Sequence, residues 1–432
     1  MADRILRGAL ATPLRGALAA LLLLFSAACT EDLTTSLGCP QACADQSAVL
    51  RDTILTGIVV QDSVLVGYPQ LGFSKDFPII AQGDTADVRL VMRFDTLPNT
   101  FHHPNASVDS ALTKVESAML TFVVDTAVTR FSSTSPVTID AYDVDTTTAD
   151  SLRLELLPLF RPDRLIGSVT FASLAISDTL RLRLSDSVVL AKATAGAPLR
   201  IGLQVRAAQA VRVQVSGSTF TPRVTFRMSP DTLVATDTVP IVSRTPIEDD
   251  VLASVYGVYP IIASGALPPP PAGVNAVGGV AGARTYLRFD VPSVLVDSVQ
   301  VVRASLLLQQ VPSRVGANAA DSMAILVNPV LAGEQITDVA TIVNLSGPGI
   351  SVGIDSARLV PGDTGLKSLE LVSLFRIWRA VGPTNSIRGI VLRAKQEAAN
   401  PAELNFVSSE GPVDQQPRLR ITYVPRRGFG LP

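Results

Sequence analysis

The chain has 432 residues, of which 47% are hydrophobic and 17% are charged, with a formal net charge of -2. This length accommodates two domains of ordinary size, each able to bury its own core. Basic residues are scattered and do not form a stripe, so the composition argues against a nucleic-acid partner. Short runs rich in Val, Ile, Thr and Leu, broken by Gly and Pro, indicate a β-rich protein.

The N-terminus is typical of a secretion signal. Arginines precede an apolar run from Ala17 to Phe25, which is much shorter than the ~20 residues that a transmembrane helix needs. Small residues lead directly into Cys29, as in the lipobox of bacterial lipoproteins, in which this cysteine is acylated and becomes the mature N-terminus. We expect residues 1–28 to be a lipoprotein signal peptide and Cys29 to carry the lipid anchor. Cleavage after Ala28 without acylation is the alternative.

Residues 29–49 are interpreted as a tether that carries the two remaining cysteines. Cys39 and Cys43 form a pair once Cys29 is acylated, and an exported compartment favours a small disulfide between them. Two free thiols are the alternative, because so short a loop strains the bridge. A pair of cysteines without further ligands does not predict a zinc site.

Distant parts of the chain repeat each other. The matching segments are 93–95 (Arg-Phe-Asp) with 288–290, 221–224 (Thr-Pro-Arg-Val) with 416–419 (Gln-Pro-Arg-Leu), and 77–81 (Phe-Pro-Ile-Ile-Ala) with 259–263 (Tyr-Pro-Ile-Ile-Ala). The first two pairs share one spacing, which indicates a duplicated domain. We therefore predict one domain over residues 50–228, a second over 229–425 and a tail over 426–432.

Within each copy, apolar and polar residues alternate in short runs, as in half-buried strands. In residues 285–291 this alternation places Leu287 and Phe289 on one face, which we expect in the core, and Tyr286 and Arg288 on the other. Similar strands are predicted at 117–124, 136–144, 179–184, 199–206, 222–228, 301–308, 388–394 and 418–424.

One segment follows helical spacing instead. Leu371, Leu374, Phe375 and Trp378 lie at relative positions 0, 3, 4 and 7, and a Gly-Pro stop signal follows. This pattern predicts a short amphipathic helix whose tryptophan closes the end of a core. A role for Trp378 as an exposed ligand platform is the alternative.

The second copy, residues 229–425, contains five notable segments in this order: 286–290 (Tyr-Leu-Arg-Phe-Asp), 302–307, 371–378, 406–410 and 417–423. In order and content they resemble the bacterial surface modules called DNRLRE-type or disaggregatase-related, which are described as carbohydrate-binding-like. The resemblance implies an all-β protein with two tandem jelly-roll-like antiparallel β-sandwich domains, each with a short helix at most. It carries no catalytic residues across.

Candidate ligand contacts are the charged and aromatic residues that the alternation places on the outward face. They are Arg93, Asp95, Arg288, Asp290 and Tyr286; the two Arg-Asp pairs occupy equivalent places in the two copies. The alternative is a set of exposed ion pairs, each worth ~0.2–1 kcal/mol, that only adjust the surface.

A structural calcium ion is the one cofactor considered, near Asp140, Asp143 and Asp145, which with Asp150 form the densest carboxylate cluster. Exported sandwiches often hold Ca²⁺ in such loops. The Asp-x-Asp-x-Asp-Gly pattern is missing, so a solvated strand end is the alternative and no metal site is assigned.

Catalytic patterns are also missing from the sequence. His102 and His103 are the only histidines, and no Gly-x-Ser-x-Gly elbow occurs. We therefore expect no enzymatic activity, although two aspartates that meet in space would leave glycoside hydrolysis open.

Together these observations predict a non-enzymatic cell-envelope lipoprotein, at the outer membrane or cell surface rather than the inner membrane. Its expected partners are the membrane, through the lipid anchor, and a glycan or cell-wall polymer, but not nucleic acid. A purely structural protein that contacts other envelope proteins is the first alternative. A secreted hydrolase or its accessory subunit is the second.

Overall fold

Antiparallel strands dominate this structure, so the chain belongs to the all-β class, as the sequence predicts. The computed structural model describes residues 50–67, 71, 78–83, 86–101, 107–126, 129–131, 134–172, 178–216, 222–229, 241–250, 252–253, 255–264, 269–314, 322–330, 357–381, 388–397 and 402–425. The predicted signal peptide, the tether with its cysteines, both histidines and the C-terminal tail lie outside these residues.

The strands of the first half of the chain are β1 (Arg51–Leu55), β2 (Val59–Leu65), β3 (Ile79–Gln82), β4 (Asp87–Phe94), β5 (Thr100–Phe101), β6 (Ser110–Ala111), β7 (Lys114–Val124), β8 (Arg130–Phe131), β9 (Pro136–Asp143), β10 (Leu165–Ala172), β11 (Thr179–Leu184), β12 (Leu199–Ala207), β13 (Val211–Ser216) and β14 (Arg223–Ser229). Two 3₁₀ segments, Asp150–Leu159 and Pro162–Arg164, separate β9 from β10, and helix α1 (Asp186–Thr194) follows β11.

The strands of the second half are β15 (Ile241–Arg244), β16 (Val258–Ser264), β17 (Val274–Gly278), β18 (Arg284–Phe289), β19 (Val299–Val311), β20 (Met323–Val330), β21 (Ala357–Leu359), β22 (Gly365–Glu370), β23 (Arg388–Ala394), β24 (Glu403–Val407) and β25 (Arg418–Pro425). Helices α2 (Ser293–Asp297) and α3 (Val372–Val381) belong to this half. Every strand and the helix that the sequence predicts are present, with small differences at their ends.

The strands of the N-terminal half close into a ring. The order β7-β11-β10-β9-β12-β4-β3-β13 returns to β7, because Val215 of β13 pairs with Val124 of β7. Inward residues of these strands, such as Leu120 and Leu182, form one buried cluster inside the ring. This closed ring differs from the two-sheet jelly-roll-like sandwich that the sequence analysis predicts for residues 50–228. The ring closes because β10 pairs with both β9 and β11, and β3 pairs with both β4 and β13.

The C-terminal half consists of two sheets that enclose a second buried cluster. One sheet has the order β1-β25-β19-β24-β17, with β22 also paired to β19, and the other has the order β2-β18-β23-β20-β21. Among the described strands, β21 pairs only with β20 and β22 only with β19. The two sheets therefore stay separate, in contrast to the N-terminal ring.

The repeat is visible in the strand pairing. Phe94 ends β4 opposite Leu199 of β12, and Phe289 ends β18 opposite Arg388 of β23. The segments that begin with Arg223 and Arg418 likewise occupy matching strands, β14 beside β7 and β25 beside β19. The two sequence matches with a common spacing thus lie at equivalent positions.

The first two strands of each copy are exchanged between the halves. β1 pairs with β25 and β2 with β18, so the N-terminal strands complete the C-terminal sheets. In return, β15 pairs with β14 and β16 with β4, so the strands that open the second copy extend the N-terminal sheet. The pairing therefore crosses the predicted boundary between residues 228 and 229.

This exchange also shows that the third sequence match was wrongly assigned. Residues 79–81 lie in β3, which pairs with β13, whereas residues 259–263 lie in β16, beside β4. Both segments are short, almost fully buried strands. They need the same apolar residues without being equivalent strands, which explains the similarity.

Helix α3 closes the C-terminal core, as its spacing predicts. Trp378 is 2% exposed, and its ring centroid lies 5.1 Å from that of Phe375 and 6.2 Å from that of Phe289. The alternative of an exposed tryptophan platform is therefore excluded. Within the described residues no helix is long and apolar enough to span a membrane.

Candidate functional site

The structure does not bring the predicted ligand contacts together on one open surface. Arg93 is bound to a buried carboxylate, and Arg288 is half-buried. Asp95 and Asp290 are exposed, but they belong to different halves of the molecule.

Tyr286 contradicts the prediction directly, because its side chain is 0% exposed. It packs against Val330, Val391 and the partly buried Leu65 on the outer side of its sheet. Burial raises the pKa of its phenol. A period of two distinguishes the faces of a strand, but it does not reveal that both faces are covered.

Arg93 instead belongs to a buried charge cluster around Asp150, whose side chain is 0% exposed. One carboxylate oxygen accepts from Arg93 at 2.7 Å and from the backbone N–H of Tyr256 at 3.0 Å. The other accepts from the hydroxyl of Tyr259 at 2.7 Å and lies 3.2 Å from Arg200. Because Tyr256 and Tyr259 come from the second copy, this cluster fixes the exchanged strand β16 to the N-terminal half.

The 3₁₀ segment that begins at Asp150 covers the outer face of the N-terminal sheet. Leu156 packs there with Tyr142 and Tyr259. The ring centroid of Phe160 lies 5.5 Å from that of Tyr142. Burial raises the pKa of the Tyr259 phenol far above its ordinary value, and the adjacent Asp150 carboxylate adds to this effect. These rings are part of a second core layer and cannot stack on a ligand.

The proposed calcium ligands are each neutralised by a cation of the protein. Asp140 is buried, binds Arg206 and accepts a 2.8 Å hydrogen bond from Ser168. Asp143 and Asp145 share Lys192, at 3.4 Å and 2.7 Å. Among the described residues no three His, Cys, Asp or Glu side chains are placed to share a metal ion.

An open cleft of about 800 Å³ lies where β4, β14 and the segment after β15 meet. Asp95 and Thr96 follow β4, Arg223 begins β14, and residues 243–248 complete the lining. The last of these segments belongs to the exchanged strands, so the cleft exists only because the second copy contributes to the first half.

Backbone contacts fix the wall of this cleft. Phe94 forms a bridge with Pro246, and the N–H of Ile247 donates to the carbonyl of Arg93 at 2.9 Å. The carboxylate of Asp249 accepts from the N–H of Gly257 at 2.7 Å. A cleft built on paired backbone is pre-organised for a ligand.

The lining is polar and its formal charges balance. It contains the cations Arg223 and Arg244, the carboxylates Asp95 and Glu248, and hydroxyl groups from Thr96, Ser243 and Thr245. Such a set both donates and accepts hydrogen bonds, which suits a ligand rich in hydroxyl or charged groups.

The C-terminal half does not repeat this chemistry. By strand register, the counterpart of Arg244 is Leu55, because Arg244 lies opposite Val224 and Leu55 lies opposite Leu419. Sequence reasoning identified Asp95 as a candidate but missed residues 243–248, since their place beside β14 follows from the exchange.

Among the described residues whose burial is defined, no aromatic ring is exposed for sugar stacking. In the described part of the chain, every ring whose burial is defined is buried or half-buried, including Tyr256 and Tyr423. Sugar recognition by these residues would therefore depend on hydrogen bonds and charge.

The second half carries two further ion pairs, Arg284–Glu397 and Arg314–Glu403. Arg284 binds Glu397 through two bonds of 2.8 and 2.6 Å, with both side chains buried. Arg314 binds Glu403 at 2.6 Å. Burial raises the pKa of the Glu403 carboxyl, and Arg314 opposes this shift. We assign these groups a structural role.

Asp62 connects the exchanged strand β2 to strand β17 and to the loop after β24. Its carboxylate accepts from the backbone N–H of Ser409 at 2.7 Å, from the Ser409 hydroxyl at 2.9 Å and from Asn275 at 3.1 Å. Thus one carboxylate fixes the second exchanged strand of each copy, Asp150 for β16 and Asp62 for β2.

No known protein-family model matches this chain, and no curated protein matches it.

Proposed function

We propose that this chain is a non-enzymatic cell-envelope lipoprotein that binds a glycan or cell-wall polymer. The observation that supports binding most is the polar cleft formed by Asp95, Thr96, Arg223 and residues 243–248. Its balanced charges and hydroxyl groups suit a hydroxyl-rich ligand, and its backbone is fixed by pairing. The resemblance of the second copy to carbohydrate-binding-like DNRLRE-type modules agrees with this ligand class.

The fold proposal is that both halves are variants of one jelly-roll-like module. The matching strand pairs around Phe94 and Phe289 support a common origin. In this view the N-terminal copy gained extra pairing through β3 and β10 and closed into a ring, while the C-terminal copy kept two sheets.

A polysaccharide binding screen with the purified protein tests the proposed ligand class. Arg244→Ala removes a cleft cation, and Arg358→Ala removes an exposed arginine from β21 as a matched control. We expect Arg244→Ala to weaken binding and Arg358→Ala to leave it unchanged. Failure of every polysaccharide to bind would contradict the glycan proposal.

The anchor is a separate proposal that rests on the N-terminal sequence alone. Acylation of Cys29 would place the protein in a membrane, and we propose the outer membrane or cell surface. Cys29→Ala should release the protein into the soluble fraction, whereas unchanged membrane retention would exclude this anchor. Thiol alkylation before and after reduction tests the Cys39–Cys43 disulfide.

A purely structural role is the second candidate, and one observation favours it. Leu50, Ile54 and Val60, at or near the N-terminal strands, are 59%, 51% and 58% exposed. Exposed apolar side chains on edge strands are suited to protein contact. Under this alternative, Ile54→Asp with Val60→Asp would disrupt association with other envelope proteins and leave polysaccharide binding unchanged.

A further inference from the structure

A row of arginines crosses the outer face of the N-terminal ring beside the cleft. Thr121 of β7 lies opposite Arg181 of β11 on one side and opposite Arg223 of β14 on the other. Directly opposed residues share one face of a sheet. The adjacent positions Leu120, Leu182 and Val224 point into the core, so these three side chains point outward.

Both arginines of this row are exposed. They stand two strand spacings apart, which is about 10 Å. The threonine hydroxyl between them can donate and accept hydrogen bonds. The row therefore offers alternating charged and hydroxyl contacts across a flat surface.

Two further arginines lie at neighbouring positions of this face, and each is close to an acid. Arg183 pairs with Asp186, and Arg227 lies 3.6 Å from Glu116. With Arg181 and Arg223, four arginines lie on this face.

The row is continuous with the cleft, because Arg223 belongs to both. Beyond Arg223, the cleft adds the cation Arg244 and the hydroxyl of Ser243, together with the carboxylates of Asp95 and Glu248. A ligand that occupies the cleft can therefore extend over β14 and β7 to Arg181 and meet Arg244, Arg223 and Arg181 in turn.

The C-terminal half lacks this row. There the residue equivalent to Thr121 is Leu307, which lies opposite Ser368 and Arg418. The position equivalent to Arg183 is Glu370. The feature is thus specific to one copy and does not follow from the repeat.

We propose that this face and the cleft together bind a polyanionic glycan, a sugar chain that carries carboxylate groups. This inference rests on the proposed glycan-binding function and names its ligand class. Arginine forks bind carboxylates with two hydrogen bonds, and an extended row on a flat sheet suits a polymer better than a compact ligand. The same arginines would attract an anionic lipid surface, but a lipid surface does not account for the cleft at the end of the row.

The test compares polygalacturonate with its methyl-esterified form, which has the same backbone without the negative charge. Binding to the purified protein is measured at low and at high salt. We expect polygalacturonate to bind, the ester to bind at least about tenfold more weakly, and salt to weaken the interaction.

Three variants locate the site. Arg181→Ala with Arg223→Ala should weaken polygalacturonate binding about tenfold, since each exposed charge contact contributes up to about 1 kcal/mol. The lysine pair Arg181→Lys with Arg223→Lys should retain most of the binding. Arg303→Ala with Arg358→Ala removes two exposed arginines from the C-terminal half and should change nothing.

Equal binding of the charged and esterified polymers would overturn the polyanion inference and leave the glycan function standing. Unchanged binding by Arg181→Ala with Arg223→Ala would also overturn it. Absence of binding to any polysaccharide would contradict both proposals. Binding to anionic vesicles without binding to polygalacturonate would replace the glycan by a lipid surface.

Discussion

The hydroxyl of Tyr259 donates a 2.7 Å hydrogen bond to the carboxylate of Asp150, 109 residues earlier in the chain. Both groups are buried. Tyr259 lies on β16, a strand that opens the second copy yet pairs with β4 of the first. This contact joins the exchanged strand to the half that it completes, so its loss should loosen the exchange.

Tyr259→Phe tests this contact with minimal change in shape. The hydrogen bond is lost and a buried carboxylate oxygen loses one partner, so we expect a loss of about 1–3 kcal/mol in the free energy of unfolding. Tyr286→Phe is the matched control, because its hydroxyl is buried without a hydrogen-bond partner among the described residues. The control should be neutral or slightly stabilising in denaturant unfolding. An equal loss in both variants would contradict the role of the Tyr259 hydroxyl.

Asp150→Ala should be more damaging. It leaves Arg93 and Arg200 without their shared carboxylate, and breaking a buried ion pair costs about 3–5 kcal/mol. Asp163→Ala, which removes an exposed partner of Arg161, should cost at most about 1 kcal/mol. Denaturant unfolding of both variants measures the difference. Similar stability of the two would show that the cluster does not hold the fold.

Asp62→Ala should loosen β2 locally. Three hydrogen bonds to Ser409 and Asn275 are lost, so we expect a destabilisation of about 1–3 kcal/mol and faster amide hydrogen exchange in Val59–Leu65. Asp52→Ala removes an exposed carboxylate of strand β1 that binds Arg420 of β25, and it should leave exchange in β2 unchanged. Unaltered exchange in Asp62→Ala would contradict the role assigned to this carboxylate.

Glu403 should make stability fall as pH rises. Burial raises the pKa of this carboxyl above its ordinary value of 4.5, so the folded state retains the proton where the unfolded state has lost it. The stabilisation that comes from the raised pKa of Glu403 is complete below pH 4.5 and is lost as the pH rises through this raised pKa. Relative to Glu403→Gln, the wild-type protein should therefore lose stability across this window. Parallel pH profiles from thermal unfolding would contradict the shift.

The sequence predicted the individual elements well, because alternation and helical spacing are local patterns. The strand that contains Phe289 and the helix that contains Trp378 needed only the period of their apolar residues. Their burial followed from the same pattern.

The exchange could not be predicted in this way. β2 and β16 are both short, largely apolar strands, and nothing in their composition states which half they join. The choice depends on contacts such as that between Asp150 and Tyr259, whose partners are far apart in sequence. The similarity between residues 79–81 and 259–263 even suggested the wrong correspondence.

The candidate site was predictable only in part. Asp95 was recognised from its repeated motif, but its cleft partner Arg244 reaches the site through the exchange. Tyr286 was expected to be exposed, since alternation alone does not show whether the outer face of a sheet is covered.

Thiol cross-linking tests the strand exchange most directly. In the structure Ile54 of β1 lies opposite Arg420 of β25, and both are exposed. If β1 instead completed its own copy, Ile54 would lie opposite Thr225 of β14, the position equivalent to Arg420. Two double-cysteine variants, Ile54→Cys with Arg420→Cys and Ile54→Cys with Thr225→Cys, distinguish these arrangements in a chain whose Cys29, Cys39 and Cys43 are changed to serine.

A short bis-thiol reagent should cross-link the Ile54→Cys/Arg420→Cys variant rapidly within one chain and leave the Ile54→Cys/Thr225→Cys variant largely unlinked. The opposite result, with efficient linkage only between positions 54 and 225, would contradict the exchange on which the cleft and the carboxylate contacts of Asp150 and Asp62 depend.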